Sequence, residues 1–346
     1  MSSNQAAWLD AKEIALRVGP AEMPVPQPNE IIVKNKAVAI NPLDWHMQDW
    51  GVFIQQWPTI FGCDVAGEVH QVGANVTQFK PGDRVVAHTI NLVTGKPQDG
   101  AFALYTAVPA NKTAILPASV AFESAVVLPL AIEAAACALL KATAGEAMPG
   151  VPTPALGLAQ PSLVPKPIGK TLVVYGGSSS VGVMTIQLAV ACGLKVVTTA
   201  SPKNFDLCKG IGASSVFDYR DADIVDKIAA ACKEDGSFVG IVDAISTPET
   251  YKHDLEILSK LGGGHLACTH PPPTEDVPDS VKAGMIFAVD EVADPIWANF
   301  ITPALENGTL KCLPAPEIVG NGLEHIQEAL DKSKAGVSAT KLIVTL

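Results

Sequence analysis

Between Gly176 and Gly182 the chain reads Gly-Gly-Ser-Ser-Ser-Val-Gly. Small residues of this kind leave main-chain N–H groups and hydroxyls free, and the chemistry they suit is the holding of an anion. About 20 residues further on, a dinucleotide site that binds a free ribose 2′-hydroxyl carries an acidic residue. Here that stretch is Ala200-Ser201-Pro202-Lys203-Asn204, with no carboxylate. A hydroxyl at Ser201 and a cation at Lys203 suit a 2′-phosphate instead. Lys203 also reads as a solvated lysine opening the next helix, but a cation is disfavoured at a helix N-terminus. The cofactor expected is therefore NADPH rather than NADH. The glycine fingerprint is imperfect, since Ser180 stands where a glycine is common.

The elements around the turn fit this use. Thr171 to Tyr175 is an apolar β-branched run, Val183 to Cys192 has helical periodicity and stops at Gly193, and Leu194 to Thr199 is again strand-like. Together they form one β-turn-α-β unit. Downstream, strand-like runs at 215–219, 238–244 and 264–267 alternate with helical ones, the pattern of a doubly wound α/β sheet. Residues 1–120 alternate short strands with turns such as Pro81-Gly82-Asp83, which suggests a twisted, barrel-like β domain. Helical runs follow from Ala121. The proline-rich segment 148–167 is long for a connection and is expected to be a functional loop or mobile lid. Met285 to Val289 reads as a strand, 295–307 and 323–334 as helices, and Lys341 to Leu346 as a closing strand.

With 346 residues, 48% of them hydrophobic, the chain has material for two cores. A formal net charge of −11 without a Lys/Arg cluster argues against nucleic acid. The N-terminal stretch lacks a signal-sequence pattern and no apolar run approaches the ~20 residues of a membrane span. The seven cysteines include no CxxC pair and read as free thiols in a reducing compartment, so a cytoplasmic protein is expected.

The phrases VAINPLDW, GCDVAGEV followed by VGANVTQFKPGDRVVA, the GGSSSVG turn, ASPKNFDLCKGIGASSVFDYRD and the closing GVSATKLIVTL span almost the whole chain. Together they resemble the medium-chain dehydrogenase/reductase superfamily, and more narrowly its zinc-independent branch of fungal trans-acting enoyl reductases that serve polyketide synthases. The resemblance implies an α/β fold: a Rossmann doubly wound parallel sheet over 126–289, plus a β-rich GroES-like catalytic domain from 1–125 and 290–346. It implies that the cofactor lies between the two. Zinc members carry an early Cys ligand and a Gly-His-Glu. This chain has Asn41 or Asp44 at the first place and Gly62-Cys63-Asp64 at the second, and AHTINLVTGKPQDG holds no cysteine, so no metal is expected. Cys63 reads as packed core.

The activity implied is conjugate reduction: hydride from NADPH to the β-carbon of an α,β-unsaturated acyl thioester, then a proton to the α-carbon. The substrate would be carried by a polyketide synthase acting in secondary metabolism. By resemblance Asp44, Trp45 and His46 line the nicotinamide end. His46 is either the donor to the enolate oxygen or a histidine bonded within its loop. Ser178, Ser179, Ser180 and Val181 would face the pyrophosphate, with Ser201, Lys203 and Asn204 on the 2′-phosphate. Tyr219 would meet the adenosine or merely pack, and Val337 and Ser338 would close over the cofactor. Leu128, Glu133, Ala134, Met285 and Phe287 would border the acyl pocket. Relatives carry a Ser-Thr pair where this chain has Glu133-Ala134, a departure that admits a repurposed member. The alternatives are a stand-alone quinone or enone reductase and a cofactor-binding non-reductase, either a scaffold or pericyclase-like. Monomer and homodimer both remain open.

Overall fold

A computed structural model describes residues 3–234 and 237–346. The chain divides into two units: one runs up to Leu130 and resumes over Trp297–Leu346, and the other is Ala131–Ile296. The division falls a few residues beyond the expected 125/126 and 289/290 boundaries.

The second unit carries a six-stranded sheet in the order Ser215–Asp218, Lys195–Ala200, Lys170–Tyr175, Ser237–Asp243, Gly264–Cys268, Val281–Met285. Every neighbouring pair is parallel. Counted along the chain this is the order 3-2-1-4-5-6 of a doubly wound dinucleotide fold, whose ligand crevice opens where the order reverses, at the first strand. The strands read as apolar runs because helices cover a parallel sheet. Val173, Val197, Ile241 and Leu266 meet Ile228, Ile257 and Leu258 of the helices Ile224–Glu234 and Pro248–Lys260 in one buried cluster.

The sixth strand corrects the sequence reading. It is Val281–Met285, so Met285 ends the strand and Phe287 lies beyond it. Lys282 and Gly284 break the apolar pattern that would have marked it. Gly284 is needed because a Cβ there would stand 2.5 Å from the main chain of Thr153 and Pro154.

The proline-rich segment is also better anchored than expected. Glu146–Met148 pairs with Val151–Pro152. Beyond them Gly157 and Leu158 donate to Lys141 and Leu139 carbonyls, while Ser162 and Ile168 donate to Ala191 and Gly193. Proline removes donors, so the few N–H groups left fix the path.

The first unit holds a seven-stranded sheet. Its path is Ala315–Asn321, Thr340–Thr345, Glu30–Ala39, Asp64–Val72, Arg84–His88, Thr113–Ile115, with Tyr105–Pro109 also pairing with Glu30–Ala39. The C-terminal strand is thus built into the sheet of the N-terminal half, Ile343 opposite Ala39. One expectation about apolar runs was too narrow. Phe122–Leu140, with mean hydropathy 1.8, has the length and apolarity to cross a membrane, but 89% of that window is buried inside the protein. Core helices meet the same measure.

Candidate functional site

The phosphate turn follows strand Lys170–Tyr175 and opens helix Ser180–Ala191. Its glycines are steric necessities. A Cβ on Gly177 would stand 2.0 Å from Thr198 Oγ1, and one on Gly182 2.2 Å from the Gly176 carbonyl. Only bare backbone lets the turn fold against the second strand, where Gly177 N–H donates to the Thr199 carbonyl at 2.8 Å. Ser179 caps the helix, its Oγ accepting from Gly182 N–H at 3.1 Å. Ser180, the first helical residue, has a buried Oγ with no partner among the described residues. A hydroxyl in that state, at the positive end of a helix, is provided for by a ligand rather than by the fold.

The tip of the second strand comes to the same place. Asn204 Nδ2 lies 3.2 Å from both Ser178 Oγ and Ser201 Oγ, so one amide ties the turn to the strand end. Lys203 beside it is exposed and makes no ion pair among the described residues. Four of the expected contacts, Ser178, Ser180, Ser201 and Asn204, thus belong to one neighbourhood. Tyr219 is 44% exposed, with the Arg220 guanidinium 5.5 Å from its ring centroid. Arg220, which the sequence reading passed over, forks onto Asp218 at 2.9 and 3.0 Å and holds that carboxyl below its ordinary pKa. Its position one residue after Tyr219 was the available signal.

In the same unit, Glu133 is fully buried on helix Pro129–Leu140, and its Oε2 lies 3.3 Å from Asp290 N–H. One turn on, Cys137 Sγ accepts from Phe287 N–H at 3.4 Å. Residues 133 and 287 therefore lie at one helix-to-loop junction. Ala134 and Met285 are buried as well, at 4% and 9% exposure, and Leu128, in the first unit, has no exposed surface.

A second group of the expected residues lies in the first unit. Helix Pro42–Trp50 starts at Asn41 and carries Asp44, Trp45 and His46 in its first turns. His46 is 9% exposed; its ring stacks on Trp50 at 4.2 Å and 12°, with Trp45 edge-on at 3.8 Å. The histidine expected at the reacting end is therefore held in an aromatic vise rather than in a loop. Val337 and Ser338 are exposed in the turn after helix Ile326–Ala335. That helix is joined to Pro42–Trp50 by Lys334–Asp49 at 2.6 Å and by Gln48 Nε2 to Gln327 Oε1 at 2.8 Å.

Beneath helix Pro42–Trp50 is a buried polar cluster. Asp44 Oδ2 accepts from Asn41 N–H at 2.7 Å. Asn41 Nδ2 donates to Asp64 Oδ2 at 2.9 Å, and Leu130 N–H donates to Asp64 Oδ1 at 2.7 Å. The Lys341 ammonium donates to Asn41 Oδ1 and lies 3.1 Å from Asp64 Oδ2, with Lys341 3% and Asp64 0% exposed. Burial raises the Asp44 pKa to about 7, against the Asn41 N–H bond and with help from Asp64. Burial first, then Asp44 and Asp64, push the Cys63 thiol well above its usual range.

Comparison with known proteins identifies the family to which both units belong. The alcohol dehydrogenase GroES-like domain model matches residues 27–118, and the zinc-binding dehydrogenase model matches 180–284. The chain is 61% identical over 349 residues to dehydrogenase orsE of Emericella nidulans, covering all of both. It is 41% identical to trans-enoyl reductase himH of Aspergillus japonicus, over 99% of this chain and 97% of that one. Among solved structures, an alcohol dehydrogenase superfamily protein from Novosphingobium aromaticivorans superposes with a TM-score of 0.79 at 23% identity, over 99% of each chain.

The metal named by the second model does not suit the donors present. Zinc needs several deprotonated ligands converging on one point. Among the described residues no three His, Cys, Asp or Glu side chains converge so. Where Asp44, Cys63 and Asp64 gather, Cys63 is held as a thiol and a lysine already supplies the positive charge. The nucleotide, in contrast, suits a turn with an unpartnered Ser180 hydroxyl and glycines that no side chain could replace.

Proposed function

From the chain's membership of the medium-chain dehydrogenase/reductase superfamily, we propose that this oxidoreductase is an NADPH-dependent, zinc-independent enoyl reductase. Its substrate would be an α,β-unsaturated acyl thioester delivered by a separate polyketide synthase. The observation that carries the reading is the Ser178–Asn204–Ser201 junction with the exposed Lys203 beside it. It is a ready anion site at the strand end, with no carboxylate on that strand to claim a ribose 2′-hydroxyl. The name trans-enoyl reductase borne by a relative 41% identical to the chain supports the choice of substrate class.

Bound NADPH supplies the hydride. The protein does the rest. Ser180 Oγ at the helix start would face the pyrophosphate, and Lys203, Ser201 and Asn204 would hold the 2′-phosphate. His46, fixed between Trp45 and Trp50, gives a hydrogen bond or proton to the substrate oxygen as charge develops there. Glu133 Oε2 accepts from the Asp290 main chain and would help shape the 285–290 loop.

The test is a fluorescence titration with NADPH and NADH, followed by addition of crotonyl thioester or a quinone to the NADPH complex. Preferential NADPH binding with faster oxidation by the thioester is expected. Faster oxidation by the quinone would make this a quinone or enone reductase. Binding without turnover of either would make it a cofactor-binding protein without hydride chemistry.

A further inference from the structure

Lys341 is an almost wholly buried cation, 3% exposed, and a buried charge persists only where it is paired. The group it forms draws on three separate parts of the sequence. Asp64 opens strand Asp64–Val72, Asn41 precedes helix Pro42–Trp50, and Lys341 itself sits on the C-terminal strand Thr340–Thr345. Asn41 is the hinge of the group. Its side-chain carbonyl takes the ammonium and its side-chain N–H goes to Asp64. Its main-chain N–H goes to Asp44 Oδ2 and its main-chain carbonyl accepts from Asp44 N–H. The Asp44 carboxyl thus makes the return half of a capping box with Asn41, whose side chain also serves the ion pair. The first helical turn is therefore oriented by Lys341, and Trp45 and His46 follow Asp44 directly.

We propose that Lys341 is a positioning residue: an internal cation that locks Asp64 and Asn41, fixes the start of helix Pro42–Trp50, and so sets the placement of the Trp45–His46–Trp50 stack. Its importance for reduction rests on the reductase reading; the clamp itself does not. A metal would have served the same electrostatic end, and the ammonium makes one redundant.

The test separates charge pairing from simple space filling. Breaking a buried pair strands a charge, whereas removing both charges is close to neutral. Hydrogen exchange of the full chain would be compared for the native protein, Lys341→Met, and Lys341→Met with Asp64→Asn. In Lys341→Met the amides of 44–50 should exchange on the order of 100-fold faster, while those of strand Lys170–Tyr175 keep their protection. Adding Asp64→Asn should restore most of the lost protection. If Lys341→Met alone does not fold, a folded double variant is the same rescue. Equal loss in both variants, or loss spread evenly over helix 42–50 and strand 170–175, would overturn the proposal. No arm uses activity, so a failed reductase assay and a failed clamp are told apart.

Discussion

Ala200 and Asp218 are register partners at the ends of adjacent parallel strands. The strand that would carry an NAD-selective carboxylate thus ends in alanine and serine, and the carboxylate nearest in register belongs to the next strand, where Arg220 forks onto it. What the strand end offers is Lys203.

Lys203→Ala should weaken NADPH binding by about 10- to 100-fold, the worth of one charge-assisted hydrogen bond, and leave NADH nearly unchanged. Fluorescence titration with both nucleotides measures this. An equal effect on both would show that Lys203 does not touch the 2′-phosphate.

Ser180→Ala removes a buried hydroxyl that the fold leaves without a partner. The Tm of the free protein should hold or rise slightly, since an unsatisfied polar group is lost. The extra Tm gained on adding NADPH should shrink. A variant that loses stability without nucleotide and keeps its full NADPH shift would place the hydroxyl in the fold instead.

His46→Phe keeps an aromatic ring against Trp50 but no proton to give. NADPH affinity and Tm should stay near native, and kcat for an enoyl thioester should fall by about 10²- to 10⁴-fold. Unchanged kcat would leave the histidine a packing residue.

Asp254, on helix Pro248–Lys260, is fully buried, and neither carboxyl oxygen finds a partner among the described residues. Burial first, then the neighbouring Asp243 carboxylate, push its pKa well above the ordinary range. The folded state therefore holds this proton more tightly than the unfolded chain. Its contribution is most favourable below the unfolded pKa near 4 and is lost as pH rises toward the folded value. Asp254→Asn should abolish that loss, so its Tm advantage over the native protein should grow between pH 5 and pH 9. A constant difference across that range would show that folded Asp254 is already ionised at pH 5, its pKa not raised.

Dialysis against EDTA should change neither Tm nor NADPH oxidation, because Lys341 supplies the positive charge where Asp44, Asp64 and Cys63 gather. Stabilisation by added Zn²⁺ that Cys63→Ser removes would contradict this.

Much of the second unit was legible because its signals are local. The turn, its flanking apolar strands and the helix stop at Gly193 lie within some 30 contiguous residues, and buried parallel strands announce themselves as apolar runs. The sixth strand escaped for the same reason in reverse. Lys282 and Gly284 break its pattern, and Gly284 is explained only by the approach of Thr153, far off in the chain.

The candidate residues were nameable from sequence, Ser201 and Lys203 by their place after the second strand, Ser178 to Val181, Asn204 and His46 by resemblance. What each does was not. Asn204 joining Ser178 to Ser201, His46 stacked on Trp50, and Glu133 bonded to the Asp290 main chain are meetings across 26, 4 and 157 positions, of which only the second has helical spacing. Lys341 is the clearest case. In sequence it is one lysine in a closing strand, indistinguishable from a solvated one. Only the pairing of that strand with Glu30–Ala39 carries it beside Asn41 and Asp64. Local composition determines which elements form; where a charge is buried, and with what partner, depends on sheet order, which no window of sequence contains.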